Sequence, residues 1–193
     1  MRICLIGPTY PFRGGISHYT TLLCTYLRKR HHVTFISFRR QYPKALFPGA
    51  TDRDPSRVPL RAEGALRMID SMNPLTWLRA ALRVLRSRAD LVIIPWWVSF
   101  WAPQFFLIVY FIKRKSHTKI LFICHNVVAH ESKIHDKILT RWVLQQGDFH
   151  IVHSEEDKKN LLEMLPRAKV FKRHLPTYDV FNFEALNPDI CRN

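Results

Sequence analysis

The chain has 193 residues, a length suited to one domain or to one domain with an appendage. It is 47% hydrophobic, enough for a sizeable core, and its 30 Lys and Arg against 15 Asp and Glu give a formal charge of +15. That excess favours anionic partners: nucleic acid, acidic lipid headgroups or phosphorylated ligands. The four cysteines (Cys4, Cys24, Cys124, Cys191) form no C-x-x-C pair, and residues 1–20 lack the cationic-then-apolar order of a signal peptide. Reduced cysteines and a cytoplasmic chain are expected.

Ile3 to Ile6 is a short apolar run that stops at Gly7-Pro8 and reads as a strand buried on both faces. A polar loop narrows to Gly14-Gly15. Then Ile16, Tyr19, Leu22, Leu23, Tyr26 and Leu27 recur at helical spacing. In a strand–loop–helix unit the free N–H groups of the helix face the strand's exit, where partial positive charge suits a phosphate. Glycine there lets a ligand approach the backbone. Neither G-x-G-x-x-G nor G-x-x-x-x-G-K-[ST] is present, so a plain tight turn explains the loop equally well.

His32 to Phe38 is β-branched and aromatic and reads as the second strand of a right-handed βαβ unit. Residues 39–73 are poorly periodic, with several prolines and the basic residues Arg39, Arg40, Lys44, Arg53, Arg57 and Arg61. An acceptor-binding flap and a solvated loop both remain open there, with a short strand at Leu66 to Ile69. Asn73-Pro74 resembles an N-cap followed by proline at the first helical position, opening a helix to about Arg88. Leu75, Leu78, Leu82 and Leu85 are its expected apolar face. Arg79, Arg83 and Arg86 make a basic stripe, either solvated or resting on anionic lipid.

Residues 91–112 hold no charge and precede Lys113-Arg114-Lys115, the length and flank of a membrane span. Pro95, Ser99, Pro103 and Gln104 favour another account: a strand to about Ile94, a turn, and a helix opened by Pro103. Trp96, Trp97, Phe100 and Trp101 then stand at the strand's exit, as a ledge for a lipid or sugar ring or as packing under the helix. Lys119 to Val128 reads as a strand passing into His125-Asn126. A helix over 137–146 ends at Gly147, and a strand follows over 148–153. Ser154 to Asp157 looks like a capping box for a helix to Leu165, before a last strand over 169–173.

Strand and helix alternate throughout, which predicts an α/β fold: a parallel sheet with helices on both faces. Ligands of such sheets bind outside the carboxyl ends of the strands. Gly14-Gly15 and His125-Asn126 are far apart in sequence, yet the architecture puts both on that rim. Taken alone, His125 reads as a structural histidine.

The first strand, GPTYPFRGGISHY, HHVTFISF, DLVIIPWW, ILFICHNVVAHE and DFHIVHS together resemble the N-terminal domain of family 4 glycosyltransferases, in order, to about Pro176. The resemblance implies a Rossmann-like half of a two-domain GT-B fold. It implies transfer of a sugar from a nucleotide-sugar to an acceptor, often lipid-linked, with retention of configuration and without metal or cofactor. By the same resemblance Gly14 and Gly15 approach the donor diphosphate and His125 is the catalytic histidine near the transferring sugar. Arg13, Asn126 and Trp97 become acceptor or sugar contacts, although many members have Asp where Asn126 stands. Residues 1–176 are then the acceptor-side domain. Residues 177–193 are a tail or the start of a linker to a missing C-terminal donor-binding domain.

That second domain carries the family's basic pair and its E-x7-E motif. Glu155 and Glu163 share the spacing but sit on the capped polar helix, so the match reads as chance. Half an enzyme, with little or no activity alone, is the expectation. The main rival is a non-catalytic basic module on an acidic membrane surface, at the inner face of the membrane. Three other readings rank lower. An NAD enzyme should have an acidic residue where Ser37-Phe38-Arg39-Arg40 stands. A nucleic-acid module lacks any recognition motif. A metal site from His125, His130 and His135 lacks a common helical face and a completing ligand.

Overall fold

The computed structural model describes residues 1–43, 51–56, 59–127 and 134–176. Lys44, Arg57, His130, Cys191 and the expected tail over 177–193 lie outside these residues. In chain order the elements are β1 (Arg2–Ile6), α1 (Gly15–Arg28), β2 (His32–Arg40), β3 (Leu66–Asp70), α2 (Pro74–Ser87) and β4 (Leu91–Trp96). A 3-10 turn at Ser99–Trp101 leads to α3 (Ala102–Lys115), β5 (Lys119–Cys124), α4 (Ile134–Leu144), β6 (Phe149–Val152), α5 (Glu155–Met164) and β7 (Val170–Lys172).

All seven strands pair in parallel, in the order β3-β2-β1-β4-β5-β6-β7. The period of two along each strand feeds two apolar layers. Ile3, Leu5, Phe35, Ile93 and Ile123 pack on one face with Tyr19 and Cys24 of α1. Cys4, Ile6, Ile36, Val92, Ile94, Phe122 and Cys124 face the other way, against α2, α3, α4 and α5. This is a Rossmann-like sheet with helices on both faces. Strand order reverses between β1 and β4, the switch point where α/β sheets open a crevice.

Several elements differ from their sequence reading for steric reasons. α1 buries Ser17, Tyr19, Thr20, Thr21 and Cys24, while Leu23 and Leu27 of the expected repeat are only partly buried and Tyr26 points outward. The small side chains among them admit close approach to the sheet, and the threonine hydroxyls donate to the carbonyls of Ile16 and Ser17. α2 buries Trp77, Ala80, Ala81 and Val84, so Leu75 and Leu82 of the expected apolar face turn outward. Its cap is as expected: Asn73 accepts from the Leu75 N–H and Pro74 opens the helix.

The uncharged stretch over 91–112 is β4, the turn and α3, and among the described residues no helix is long and apolar enough to cross a membrane. Trp96 and Trp101 are core residues, while Trp97 and Phe100 are half-buried against the core. Cys4, Cys24 and Cys124 are buried free thiols, and burial pushes the Cys4 thiol up to about 12.

Candidate functional site at the carboxyl rim

β1 leaves the sheet at Gly7, where the chain is pressed between α1 and β4. A Cβ on Gly7 would lie 2.9 Å from Thr20 Cγ2 and 3.1 Å from Pro95 Cγ. The following loop is tied down on both sides. Thr20 Oγ1 donates to the Pro8 carbonyl, and Thr9 and Thr21 share a 2.7 Å hydroxyl bond. The Arg13 N–H donates to the Asp52 carbonyl at 2.9 Å and the Asp54 N–H to the Pro11 carbonyl at 2.9 Å. Part of the long basic segment therefore folds over this loop. Arg53 lies over the Phe12 ring at 5.0 Å and Arg61 over Tyr10 at 4.4 Å. Lys44 and Arg57 are not among the described residues.

Gly14 caps α1 with φ 111° and ψ 162°, a region that only glycine occupies without strain. No side chain caps this helix and no acid sits in its first turn. Within the helix the first satisfied donor is the His18 N–H, which reaches Gly14 O at 3.2 Å, so the preceding amides have no intrahelical acceptor. A Cβ on Gly14 or Gly15 would meet nothing within 4 Å. The pair opens onto space. Arg13 beside it is exposed. One turn on, His18 lies 4.0 Å from Asp54, whose carboxyl is held below its usual range by hydrogen bonds from Ser56, with a smaller contribution from His18.

His125 leaves β5 with its N–H on the Trp96 carbonyl at 2.8 Å. Its ring packs edge-on against Tyr19 of α1 at 4.6 Å between centroids. Tyr19 is four residues after Gly15, roughly 6 Å along the helix axis. The glycine turn and His125 are thus joined through one helical turn and one ring contact. His153, at the exit of β6, stands 5.1 Å from the His125 ring and 6.2 Å from Tyr19. Burial, with the neighbouring His153 second, pushes the His125 imidazole down to about 4, so it is neutral at pH 7.

The Nε2 atoms of His125 and His153 are buried and have no partner among the described residues. His153 Nδ1 lies 2.8 Å from the Arg173 carbonyl, which can only accept, so Nδ1 carries the hydrogen. In the neutral ring Nε2 is then a bare acceptor.

Asn126 is exposed beside His125, and Trp97 is half-buried one residue past β4. Trp97 Nε1 and Trp101 Nε1 both donate to Tyr42 Oη, at 3.2 and 3.3 Å. Trp97 therefore stands at the rim as part of an aromatic cluster, not as a free ledge. The β5 exit is anchored from α5. Asp157 accepts from the Val127 N–H at 2.9 Å and from the Ser154 hydroxyl at 2.7 Å, while Ser154 caps the helix through the Asp157 N–H.

The expected rim residues Gly14, Arg13, His125, Asn126 and Trp97 lie in the loops that follow the strands, and Gly15 is the first residue of α1. Tyr19 and His153 are additions. Tyr19 is one more residue of a helix repeat, whereas His153 was visible as a second histidine at a strand exit. Among the described residues no three His, Cys, Asp or Glu side chains converge to hold a metal ion.

A sequence profile described as Glycosyltransferase Family 4 matches residues 13–171, most of the chain and every rim residue named above. The chain belongs to Glycosyltransferase Family 4. Similar solved structures agree on the fold. An alpha-glucosyltransferase in complex with UDP-glucose and DNA containing an abasic site shares 14% identity, with 93% of this chain and 44% of that one covered at a TM-score of 0.59. A UDP-GlcNAc 2-epimerase from Methanocaldococcus jannaschii shares 12%, covering 89% and 45% at 0.58. The catalytic domain of starch synthase IV from Arabidopsis thaliana, bound to ADP and acarbose, shares 15%, covering 90% and 51% at 0.52. This family member spans about half the length of those chains. No curated protein sequence matches it.

Proposed function

We propose that this domain is the acceptor-side half of a retaining glycosyltransferase that moves a sugar from a nucleotide-sugar to an acceptor, lipid-linked acceptors included. Residues 1–176 form that half, and a second, donor-binding domain faces its rim. The observation that carries the reading is the Tyr19 ring, which couples an open, uncapped glycine helix terminus to a neutral rim histidine. Two of the similar structures hold UDP-glucose or ADP, in keeping with a nucleotide-sugar donor.

In this mechanism the donor diphosphate sits at Gly14 and Gly15, where backbone amides and the helix dipole stabilise its charge. The transferring sugar lies over the β5 exit. Neutral His125 exchanges hydrogen bonds with a sugar hydroxyl, and Nε2 of His153 accepts another. Arg13, Asn126 and Trp97 contact the sugar or the acceptor. The bond from the anomeric carbon to the diphosphate oxygen breaks, assisted by cations of the second domain. The acceptor oxygen bonds to that carbon on the same face. A base with a pKa of about 4 holds a proton poorly at pH 7, so the acceptor's proton leaves with the diphosphate, not with His125.

The test is turnover of the domain joined to a donor-binding half. His125→Ala should lower kcat at least a hundredfold while its melting temperature moves by only a few degrees. Equal loss of stability and rate would mark His125 as structural.

A further inference from the structure

The outward side of the helical layer carries a second surface, away from the rim. α3 and α4 run side by side in one direction. Near their starts Ser99 Oγ meets Asp136 Oδ1 at 2.5 Å, and near their ends Lys113 Nζ reaches the Gln146 carbonyl at 2.8 Å. Both bury one flank in the core: Phe105, Ile108, Val109 and Ile112 from α3, Val143 and Leu144 from α4. Their outward flanks mix cations with large apolar side chains.

Phe106 and Tyr110, one turn apart, stack at 6.1 Å and are 37% and 41% exposed. On the adjacent α4, Ile138 and Trp142 are 47% and 53% exposed. On the far side of α3, which also packs on α2, Leu75 and Leu82 point out in line with Arg79 and Arg86. Single exposed apolar residues are ordinary, but stripes on adjacent helices mark a contact surface.

The charges say what fits. α2 and α3 contain Arg79, Arg83, Arg86, Lys113, Arg114 and Lys115 and no acid. α4 adds Lys137 and Arg141, and its one acid, Asp136, is bonded to Ser99. Arg114 lies over Tyr110 at 5.2 Å, with its Nε 3.2 Å from the Tyr110 hydroxyl. Large aromatic and aliphatic side chains interleaved with cations match an acyl–headgroup boundary with acidic lipid, where Trp and Tyr settle and Lys and Arg reach phosphates. A nucleic-acid footprint would be basic without outward Ile138 and Leu82.

We infer that the α3–α4 face, through Phe106, Tyr110, Ile138 and Trp142 with Arg114, Lys137 and Arg141, docks on an anionic membrane surface. This goes beyond the transfer reaction and is tested without it. A chain that binds vesicles but never takes a donor sinks the transfer reading alone, and the reverse outcome sinks only this one.

The experiment is co-sedimentation of the full chain with phosphatidylcholine vesicles, with or without one-third phosphatidylglycerol. Binding should need the acidic lipid and weaken with salt. Trp142→Ser with Ile138→Ser, and separately Lys137→Glu with Arg141→Glu, should each lower partition roughly tenfold or more at unchanged melting temperature. Lys29→Glu with Arg30→Glu, on the opposite side of the sheet, changes net charge equally and should lower it far less. Equal losses for both charge pairs, or wild-type binding by the first two variants, would overturn the assignment. So would tighter binding to DNA through the same cations without Trp142, or concentration-dependent self-association that needs Trp142 in the absence of lipid.

Discussion

His125 is neutral at pH 7 because its ring is largely desolvated and shares its surroundings with His153. Its folded pKa of about 4 lies below the ordinary value of 6.5, so between these values the unfolded chain binds the extra proton. Stability is therefore full above about pH 6.5 and falls as pH drops toward 4, by up to ~3 kcal/mol from this residue. Urea unfolding at pH 7.5 and pH 5 should show His125→Asn with a shallower loss than wild type; an identical loss would contradict the assignment. The glycines separate in the same way. Gly14→Ala should cost about 1–3 kcal/mol by thermal unfolding, because its backbone is strained for any Cβ. Gly15→Ala has room and an unstrained backbone, so it should melt like wild type yet weaken binding of a nucleoside diphosphate.

α5 holds the site in place. The α5 cap does more than start a helix, since Asp157 bonds the Val127 N–H just beyond His125. Ser154→Ala should cost about 1 kcal/mol. Asp157→Ala, which also removes the bond to the Val127 N–H, should lower turnover of the domain joined to a donor-binding half more than its stability loss explains, as paired kinetics and melting would show. At the opposite end of the sheet Gly147 ends α4 against His150 and Phe122. A Cβ there would lie 2.7 Å from His150 Nε2 and 2.8 Å from Phe122 Cδ2. Gly147→Ala should destabilise by about 1–3 kcal/mol or more without touching the rim.

The elements also show what a sequence makes legible. Buried strands such as Ile3 to Ile6, the Asn73-Pro74 cap and the Ser154 cap were readable, because apolar runs and capping chemistry are local. The rim placement of Gly14, Gly15 and His125 followed from strand–helix alternation alone. Helix faces were not readable in the same way. α2 has leucines on two sides, and Trp77 with the small residues Ala80 and Ala81 won the core, which turned Leu75 and Leu82 outward. Partnerships across the sheet, such as Tyr19 with His125 and Tyr42 with two tryptophans, depend on register between distant segments and leave no local signal.

At the scale of the whole molecule, one parallel sheet presents a rim that carries the helix terminus and the neutral histidine. The rim as described supplies hydrogen-bonding groups and backbone dipoles. The chain covers about half of each similar structure, which fits a division of labour between two domains. The family's shared fold is not a reaction, since a 2-epimerase uses it as well. The most direct measurement is sugar transfer and donor hydrolysis over a panel of nucleotide-sugars, with the 193-residue chain run beside the same chain joined to a donor-binding domain. The account predicts transfer with retained anomeric configuration only in the joined form. Robust transfer by the 193-residue chain alone, or hydrolysis without transfer in the joined form for every donor and acceptor class tried, would contradict it.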